Sequence, residues 1–345
     1  ILWCKVADYG RYRLLDKHCV VKVMSDLMVV TGEKLASYGF GDDHPFGPDR
    51  FHAFDKRYQS LGLSAHVRES PPVMASQATI ELFHSHEYVE LVKARSEDGS
   101  GYLDGGDTPA FKGVYEAAAL VVGSVAGAVD AIMSQQCKRA FIPIAGLHHA
   151  RRNQAAGFCV FNDCGIAIEI LLQEYGLSRV AYVDIDAHHG DGVFYAFEDD
   201  PRVLFADIHE DGHFLYPGTG FIDETGRGKA RDMKLNLPAS PNAGDDVFDI
   251  LWEKVEAYLH THRPEFVLLQ AGADSIDGDP ITHMRFSPRA HARAAERLCA
   301  IADQHAEGRL LIMGGGGYNR DNLANAWNGI LQAIVAYQES AGNSA

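Results

Sequence analysis

From residue 113 onward the chain alternates between strand-like and helix-like segments, and its strand-like segments are almost wholly apolar. Three of them are RAFIPIAG (139–146), RVLFADIH (202–209) and EFVLLQAGAD (265–274), and a segment with helical periodicity follows each one. Strands that are apolar on both faces and alternate with helices are typical of a parallel sheet covered on both sides. No linker or low-complexity stretch divides this pattern. We therefore predict a single α/β domain with a central, mostly parallel sheet flanked by helices on both faces.

The first strand-like run, DLMVVTG (26–32), places the start of this domain near Met28 and leaves residues 1–27 as an N-terminal segment of unclear status. The segment lacks the succession of charged, apolar and small residues that marks a signal peptide. The chain has no run of eighteen or more apolar residues, so we expect no membrane span. The six cysteines form no C-x-x-C pair, which suits a reducing compartment, and we expect a cytoplasmic protein.

The formal net charge of −16 at pH 7 disfavours a surface for nucleic acid, because phosphates would be repelled. The same charge would attract cationic substrates such as peptides or polyamines. Many cytoplasmic enzymes are acidic, however, so the net charge alone does not require a cationic substrate. We expect no nucleic-acid partner and no membrane partner. The sequence carries no signal for the oligomeric state, and a homo-oligomer stays open.

Polar side chains follow the predicted core strands, in each case at the carboxyl end of the strand. Five segments show this pattern: GLHHA (146–150), DIDAHHGDG (184–192), ADIHEDG (206–212), QAGADS (270–275) and MGGGGYN (313–319). In open α/β sheets ligands bind outside the carboxyl ends of the strands. We therefore expect segments that lie far apart in the sequence to converge on one functional site.

Two of these segments carry a possible metal site. Asp186 and His188 stand two positions apart on a predicted strand, so their side chains would face the same way, and Asp274 would supply a third ligand. Three protein ligands with an open fourth position describe a catalytic zinc site, whereas a structural site is closed by four. A single Asp or His at a strand end is more often a loop cap, but a set of them in one chain favours a metal.

The remaining polar residues suit acid/base chemistry beside that metal. His148 and His149 are adjacent and could serve as general base and general acid, and Asp184 and Asp191 flank the proposed ligands and could orient the two rings. Tyr318 follows four glycines, and its hydroxyl could donate to a developing oxyanion. The glycine run itself matches neither common phosphate-binding pattern.

As a set, and in this order, several motifs resemble those of the zinc-dependent histone deacetylase superfamily, which includes bacterial acetoin-utilization-type deacetylases. The motifs are GLHHARRNQAAGFCVFND, VDIDAHHGDG, YPGTG, QAGADSIDGDP and MGGGGYN. The resemblance covers about residues 36–335, starting with YGFGDDHPFGPDRF (38–51). It implies the arginase-like fold, with about eight strands, and a metal-dependent amidohydrolase that converts acetyl-lysine in a protein or peptide to lysine and acetate.

The resemblance also implies a role for each site residue. One Zn²⁺ per chain, with Fe²⁺ or Co²⁺ as alternatives, would be bound by Asp186, His188 and Asp274. His148 and His149 would be hydrogen-bonded to Asp184 and Asp191 respectively, and Tyr318 would polarise the acetyl carbonyl. A structural K⁺ or Na⁺ would be bound by Asp184, Asp186, His188 and Asp207.

The implied substrate-binding residues surround an acyl-lysine tunnel: they are Asp107 at the rim, Gly157, Phe158, Tyr216 and Ile281. Arg50 would lie beneath the active site. Two positions depart from the family pattern, because Tyr216 stands where phenylalanine is usual and Asp207 where serine is usual. The first 27 residues match nothing in the family.

Alternatives to acetyl-lysine stay open. An acetylpolyamine or another small acylated amine offers the same amide on a cationic scaffold, although the segment between residues 66 and 109 contains only a short loop, which favours a tunnel open to peptides. A binuclear manganese ureohydrolase would need carboxylates at the positions of Gly190 and Ile276, so it is disfavoured. An inactive binding module would be expected to lack a ligand, a histidine or the tyrosine, and none is missing.

Overall fold

The computed structural model describes residues 7–9, 12–14, 20–22, 25–41 and 44–342. Its first elements are three short strands, β1 (Ala7–Tyr9), β2 (Tyr12–Leu14) and β3 (Val20–Lys22), which pair in order as an antiparallel sheet. The sequence predicted no element in this part of the chain. The predicted domain boundary near Met28 stays a prediction, although the first strand of the main sheet begins close to it, at Leu27.

The main sheet has eight strands, and every neighbouring pair is parallel. The strands are β4 (Leu27–Val30), β5 (Arg68–Ser70), β6 (Arg139–Ile142), β7 (Val180–Asp184), β8 (Val203–Glu210), β9 (Lys234–Ala239), β10 (Phe266–Gln270) and β11 (Leu310–Met313). Their order across the sheet is β5-β4-β6-β11-β10-β7-β8-β9. Every residue of the six strands that run from β4 to β8 in this order is buried, as expected for a sheet covered on both faces. The prediction of a parallel α/β sheet is confirmed.

Helices flank the sheet and supply the rest of the core. They are α1 (Asp49–Ser60), α2 (Gln77–Ile80), α3 (His86–Asp98), α4 (Val114–Met133), α5 (Asp163–Gln173), α6 (Asp191–Ala196), α7 (Asp245–His262), α8 (Pro288–His305) and α9 (Arg320–Gly342). α9 packs against α1 and α8, α4 against α5, and α7 against α8. Among the described residues, α4 alone is long and apolar enough to cross a membrane by length and composition, but 72% of its most apolar stretch is buried inside the protein, as in a core helix.

The structure corrects one local prediction. Strand β7 ends at Asp184, so Asp186 and His188 do not alternate along a strand as the sequence pattern suggested. Instead, the Asp186 N–H donates to Asp184 Oδ1 and the His188 N–H donates to Asp186 Oδ1, each at 3.0 Å. An aspartate that accepts the amide two residues onward turns the chain away from the extended strand. The residues still converge, because successive turns rather than the strand pleat bring them together.

Candidate active site

The five segments singled out by their polar strand ends follow β6, β7, β8, β10 and β11. These five strands are adjacent in the sheet, in the order β6-β11-β10-β7-β8. Because all of them run in the same direction, their carboxyl ends open at one edge. The fold therefore brings the five segments to one site, as the sequence predicted.

Asp186, His188 and Asp274 form the centre of this site. All three are buried, and one potential ligand atom from each lies within 4.8 Å of the others. His188 Nδ1 is 3.0 Å from Asp186 Oδ1 and 3.3 Å from Asp274 Oδ2. Within the described part of the chain, no other group of three or more His, Cys, Asp or Glu side chains is arranged in this way.

The donor set fits a divalent metal ion. Asp274 Oδ2 is fully buried and receives no hydrogen bond from any described residue, despite its proximity to His188. Burial and the negative charge of Asp186 raise the pKa of Asp274 to about 7. A buried carboxylate with an unsatisfied oxygen, beside a second carboxylate, is unfavourable unless a cation neutralises the pair. One imidazole and two carboxylates are ligands that suit zinc, iron(II) and cobalt(II).

Surrounding groups fix the two carboxylates. Asp186 Oδ2 accepts hydrogen bonds from Gln270 Nε2 at 2.8 Å and from the Gly316 N–H at 2.9 Å. Asp274 Oδ1 accepts one from the Ala187 N–H at 2.8 Å. A β-carbon at Gly316 would lie 2.1 Å from Asp274 Oδ2, so only glycine allows this loop to approach the carboxylates so closely. The oxygens are thereby held in place before any ion binds.

The adjacent histidines are each oriented by a buried aspartate. His148 Nδ1 lies 2.8 Å from Asp184 Oδ2, and His149 Nδ1 lies 2.7 Å from Asp191 Oδ1. A carboxylate only accepts, so each Nδ1 carries the proton and donates it, which leaves the two Nε2 atoms for chemistry. The ring centroids are 4.1 Å apart, and both residues line a small cavity together with Asp186, His188 and Tyr318.

The environment separates the proton affinities of the two rings. Burial lowers the pKa of both. For His148 the negative charges of Asp184 and Asp186 outweigh burial and raise the pKa to about 9. For His149 burial acts together with the neighbouring His148 and lowers the pKa to about 4. Two titratable groups with diverging pKa values are the arrangement expected of an acid and a base side by side.

Tyr318 and Arg50 close the opposite side of the site. The Tyr318 ring lines the cavity, and burial followed by the charge of Asp274 raises the pKa of its hydroxyl, which keeps the hydroxyl protonated. Arg50 is fully buried and donates from Nε to Gly317 O at 2.9 Å and from Nη2 to Gly315 O at 2.6 Å. Arg50 thus fixes the glycine turn that carries Tyr318.

Of the predicted tunnel residues, Gly157 lines the same cavity, and Phe158 and Tyr216 contact residues that line it. Gly157 has φ +55°, and a β-carbon there would come within 2.4 Å of the His149 ring. The Phe158 ring meets Tyr318 edge-on at 5.8 Å, and the Tyr216 ring meets His149 at 5.2 Å. Asp107 is exposed, and Ile281, partly buried, donates its N–H to Asp279 Oδ1 at 3.1 Å. The role of these residues as the lining of a tunnel stays a prediction.

Asp207 lies opposite Asp184 on the neighbouring strand. Its Oδ1 is 2.8 Å from His209 Nδ1, and its Oδ2 accepts the Gly190 N–H at 2.9 Å. Both oxygens therefore already have donors in the protein. The monovalent-cation site proposed for Asp184, Asp186, His188 and Asp207 stays a prediction.

Three supporting residues lie within the motifs quoted from the sequence but were assigned no role there. Gln270 steadies Asp186, as described above, and Asp163 accepts the N–H groups of Gly146 and Leu147 ahead of the histidine pair. Asp279 accepts the N–H of Tyr318 at 2.8 Å and so fixes the backbone that carries the hydroxyl. Gln270 stood in a segment singled out for its polar strand end, and that position was the signal that could have assigned it a role.

A comparison with family models matches the description "Histone deacetylase domain" over residues 44–334. The chain therefore belongs to the histone deacetylase family. It is a hydrolase of the deacetylase class, and this family is in general metal-dependent.

Individual relatives agree with this membership. Acetoin utilization protein AcuC of Bacillus subtilis is 34% identical over 307 residues, which cover 86% of this chain and 78% of that protein. A probable deacetylase of Archaeoglobus fulgidus is 36% identical over 318 residues, covering 91% and 87%. Histone deacetylase 6 of Arabidopsis thaliana is 33% identical over 304 residues, covering 85% and 63%.

Proposed function

We propose that the protein hydrolyses the amide of acetyl-lysine in peptides or proteins, using one divalent metal ion, zinc in the first instance, held by Asp186, His188 and Asp274. The observation that carries the proposal is the unsatisfied, buried oxygen of Asp274, 3.3 Å from His188 Nδ1, in a site where His188 lines a cavity together with His148 and His149. The absence of carboxylates at Gly190 and Ile276 speaks for one metal ion rather than two.

The histidine pair supplies the proton transfers. A metal ion bound at this site would polarise the acetyl carbonyl and lower the pKa of the attacking water from 15.7 toward ~7. His149, neutral at pH 7, accepts the proton of that water at Nε2, while Asp191 holds its ring in the required tautomer. A protonated histidine, for which His148 is suited by its raised pKa, then gives a proton to the leaving amine.

Tyr318 completes the mechanism on the carbonyl side. Its protonated hydroxyl donates a hydrogen bond to the acetyl oxygen as negative charge develops there. Arg50 and Asp279 hold the turn that carries Tyr318, so the donor is in place before the substrate binds. Phe158 and Tyr216 would flank the aliphatic part of the lysine side chain, and Asp107 would accept hydrogen bonds from the peptide backbone at the rim.

A substrate panel tests the proposed function. With zinc-loaded protein, we expect hydrolysis of a fluorogenic acetyl-lysine peptide, abolished by a chelator or a hydroxamate. We expect a lower kcat/KM for acetylputrescine, which has no peptide backbone for Asp107 to bind. A higher kcat/KM for acetylputrescine would assign the protein to small acylated amines, and no hydrolysis of any acylated amine would contradict an enzymatic role. Longer acyl-lysines in the same panel measure the acyl preference.

A further inference from the structure

We propose that Asp104 is a positioning residue for substrate binding: it orders the rim loop that carries Asp107 and, through Thr108, the tunnel wall at Phe158. The inference rests on the proposed function, since it concerns the grip on the same acetyl-lysine peptide. The loop is GYLDGGDTP, residues 101–109, which follows α3.

The Asp104 carboxylate accepts hydrogen bonds from several groups of this loop. One of its oxygens, Oδ1, accepts three consecutive backbone amides, from Gly106 at 2.9 Å, Asp107 at 3.1 Å and Thr108 at 3.0 Å. The base of the loop is closed by the Leu103 N–H, which donates to Thr108 O at 2.9 Å. Because Asp107 itself is exposed, its direction toward a bound peptide depends on the amides that Asp104 holds.

Thr108 joins the rim loop to the tunnel wall. Its hydroxyl donates to Asp104 Oδ2 and accepts the N–H of Phe158 at 3.1 Å, and the residue is fully buried. Phe158 has φ +66°, a left-handed conformation that is costly for a residue with a side chain. The Thr108 hydroxyl, which accepts the Phe158 N–H, and the Tyr38 hydroxyl, which donates to Phe158 O at 2.8 Å, hold the two peptide units on either side of the Phe158 Cα.

His44 forms a second connection between rim and wall. The Phe46 N–H donates to His44 Nδ1 at 3.0 Å, which makes Nε2 the protonated nitrogen, and Nε2 donates to Asp107 O at 3.1 Å. The His44 ring meets the Phe158 ring edge-on at 4.5 Å. The rim loop and the tunnel wall at Phe158 therefore belong to one hydrogen-bonded unit, and Asp104 accepts four of the hydrogen bonds that hold this unit together.

The pKa values of Asp104 and Asp107 agree with the role proposed for Asp104 as the positioning residue. Burial raises the pKa of Asp104, but the hydrogen bonds from Asp107, Thr108 and the loop amides outweigh burial and lower it to about 2. Burial and the neighbouring charge of Asp104 raise the pKa of Asp107 to about 6. Asp104 thus carries the charge of the pair and most of the donors of the loop, whereas Asp107 has the Thr108 hydroxyl at 3.2 Å from its Oδ1 and, being exposed, is the carboxylate that a substrate can reach.

The test is the kinetics of Asp104→Ala on an acetyl-lysine peptide. Loss of several charge-assisted hydrogen bonds is expected to raise KM by about tenfold, with kcat changed by less than about threefold, because the histidines and Tyr318 are untouched. Glu97→Ala is the matched control, since it removes the same charge from an exposed position on α3 and should change neither constant. Thr108→Val, which only replaces the hydroxyl with a methyl group, should also raise KM, but by a smaller factor.

A double-mutant cycle separates positioning from general stabilisation. In an Asp107→Ala background, Asp104→Ala should raise KM by less than about threefold further, because Asp107 is already gone and only the effect through Thr108 on Phe158 remains. Full additivity, or an unchanged KM in Asp104→Ala, would overturn the inference. If Asp104→Ala fails to fold, Thr108→Val decides by the same criteria. A wild-type protein that does not hydrolyse the peptide would instead contradict the proposed function.

Discussion

Replacing Tyr318 with phenylalanine is expected to lower turnover of an acetyl-lysine peptide by about 10²–10³, the loss typical of removing one donor to a developing oxyanion. The substitution deletes a single oxygen, and no described residue hydrogen-bonds to that hydroxyl, so the site loses only a donor that acts on the substrate. Asp279 and Arg50 hold the main chain on either side of the ring and do not depend on the hydroxyl. The measurement is kcat, with bound metal and melting temperature determined on the same samples.

Tyr258→Phe provides the matched control for this substitution. Tyr258 lies on α7, and its hydroxyl donates to Met233 O at 2.7 Å. Neither residue has a role in the proposed mechanism, so loss of this hydroxyl should leave kcat unchanged. Near-normal turnover by Tyr318→Phe would show that the carbonyl oxygen is polarised without this tyrosine. A loss of metal or of folding in Tyr318→Phe would assign the residue a structural role.

Replacing Asp274 with asparagine is expected to weaken metal binding by at least about 100-fold and to abolish hydrolysis at metal concentrations that saturate the wild type. The asparagine oxygen can still accept the Ala187 N–H, but an amide nitrogen would take the place of the unsatisfied Oδ2. Metal-free Asp274→Asn should be at least as stable as the metal-free wild type, because one of two adjacent buried negative charges is removed. Weaker metal binding together with unchanged or higher stability of the metal-free variant is expected of a metal ligand. It is not expected of a buried carboxylate that only stabilises the fold.

Thermal unfolding with and without metal measures how much metal binding stabilises the wild type and Asp274→Asn. At a metal concentration of ~1,000 times the wild-type Kd the wild type should gain ~4 kcal/mol of stability, and Asp274→Asn, with a Kd at least about 100-fold higher, should gain no more than ~1.4 kcal/mol. Asp246→Asn, at an exposed position at the start of α7, should behave as wild type. Equal metal-dependent stabilisation of Asp274→Asn and wild type would exclude Asp274 as a ligand.

The parallel sheet was predictable because its central strands are buried on both faces and therefore read as continuous apolar runs. Strands β5 and β9 were not predicted, since both lie at the edges of the sheet, where polar residues are tolerated. β9 alternates polar and apolar residues, and its Lys234 is accommodated by donating to the carbonyl oxygens of Asp200 and Val203. Edge strands of this kind carry too weak a pattern to be recognised from sequence alone.

The convergence of the candidate site followed from strand direction, and the residue roles from the resemblance of the motifs. The local geometry did not follow from either, because Asp184 and Asp186 use their carboxylates to turn the chain after β7. Asp104, Asp163 and Asp279 were missed for a related reason. Each acts by accepting backbone amides of a loop, and a lone aspartate in a loop carries no pattern that distinguishes this role.

The central claim is that one metal ion at Asp186, His188 and Asp274 drives hydrolysis of acetyl-lysine. The most direct measurement is a titration of metal-free protein with Zn²⁺ while hydrolysis of an acetyl-lysine peptide is recorded. We predict no hydrolysis without metal and a linear rise that stops at one equivalent per chain. Full activity in metal-free protein, or a rise that continues to two equivalents, would contradict the account.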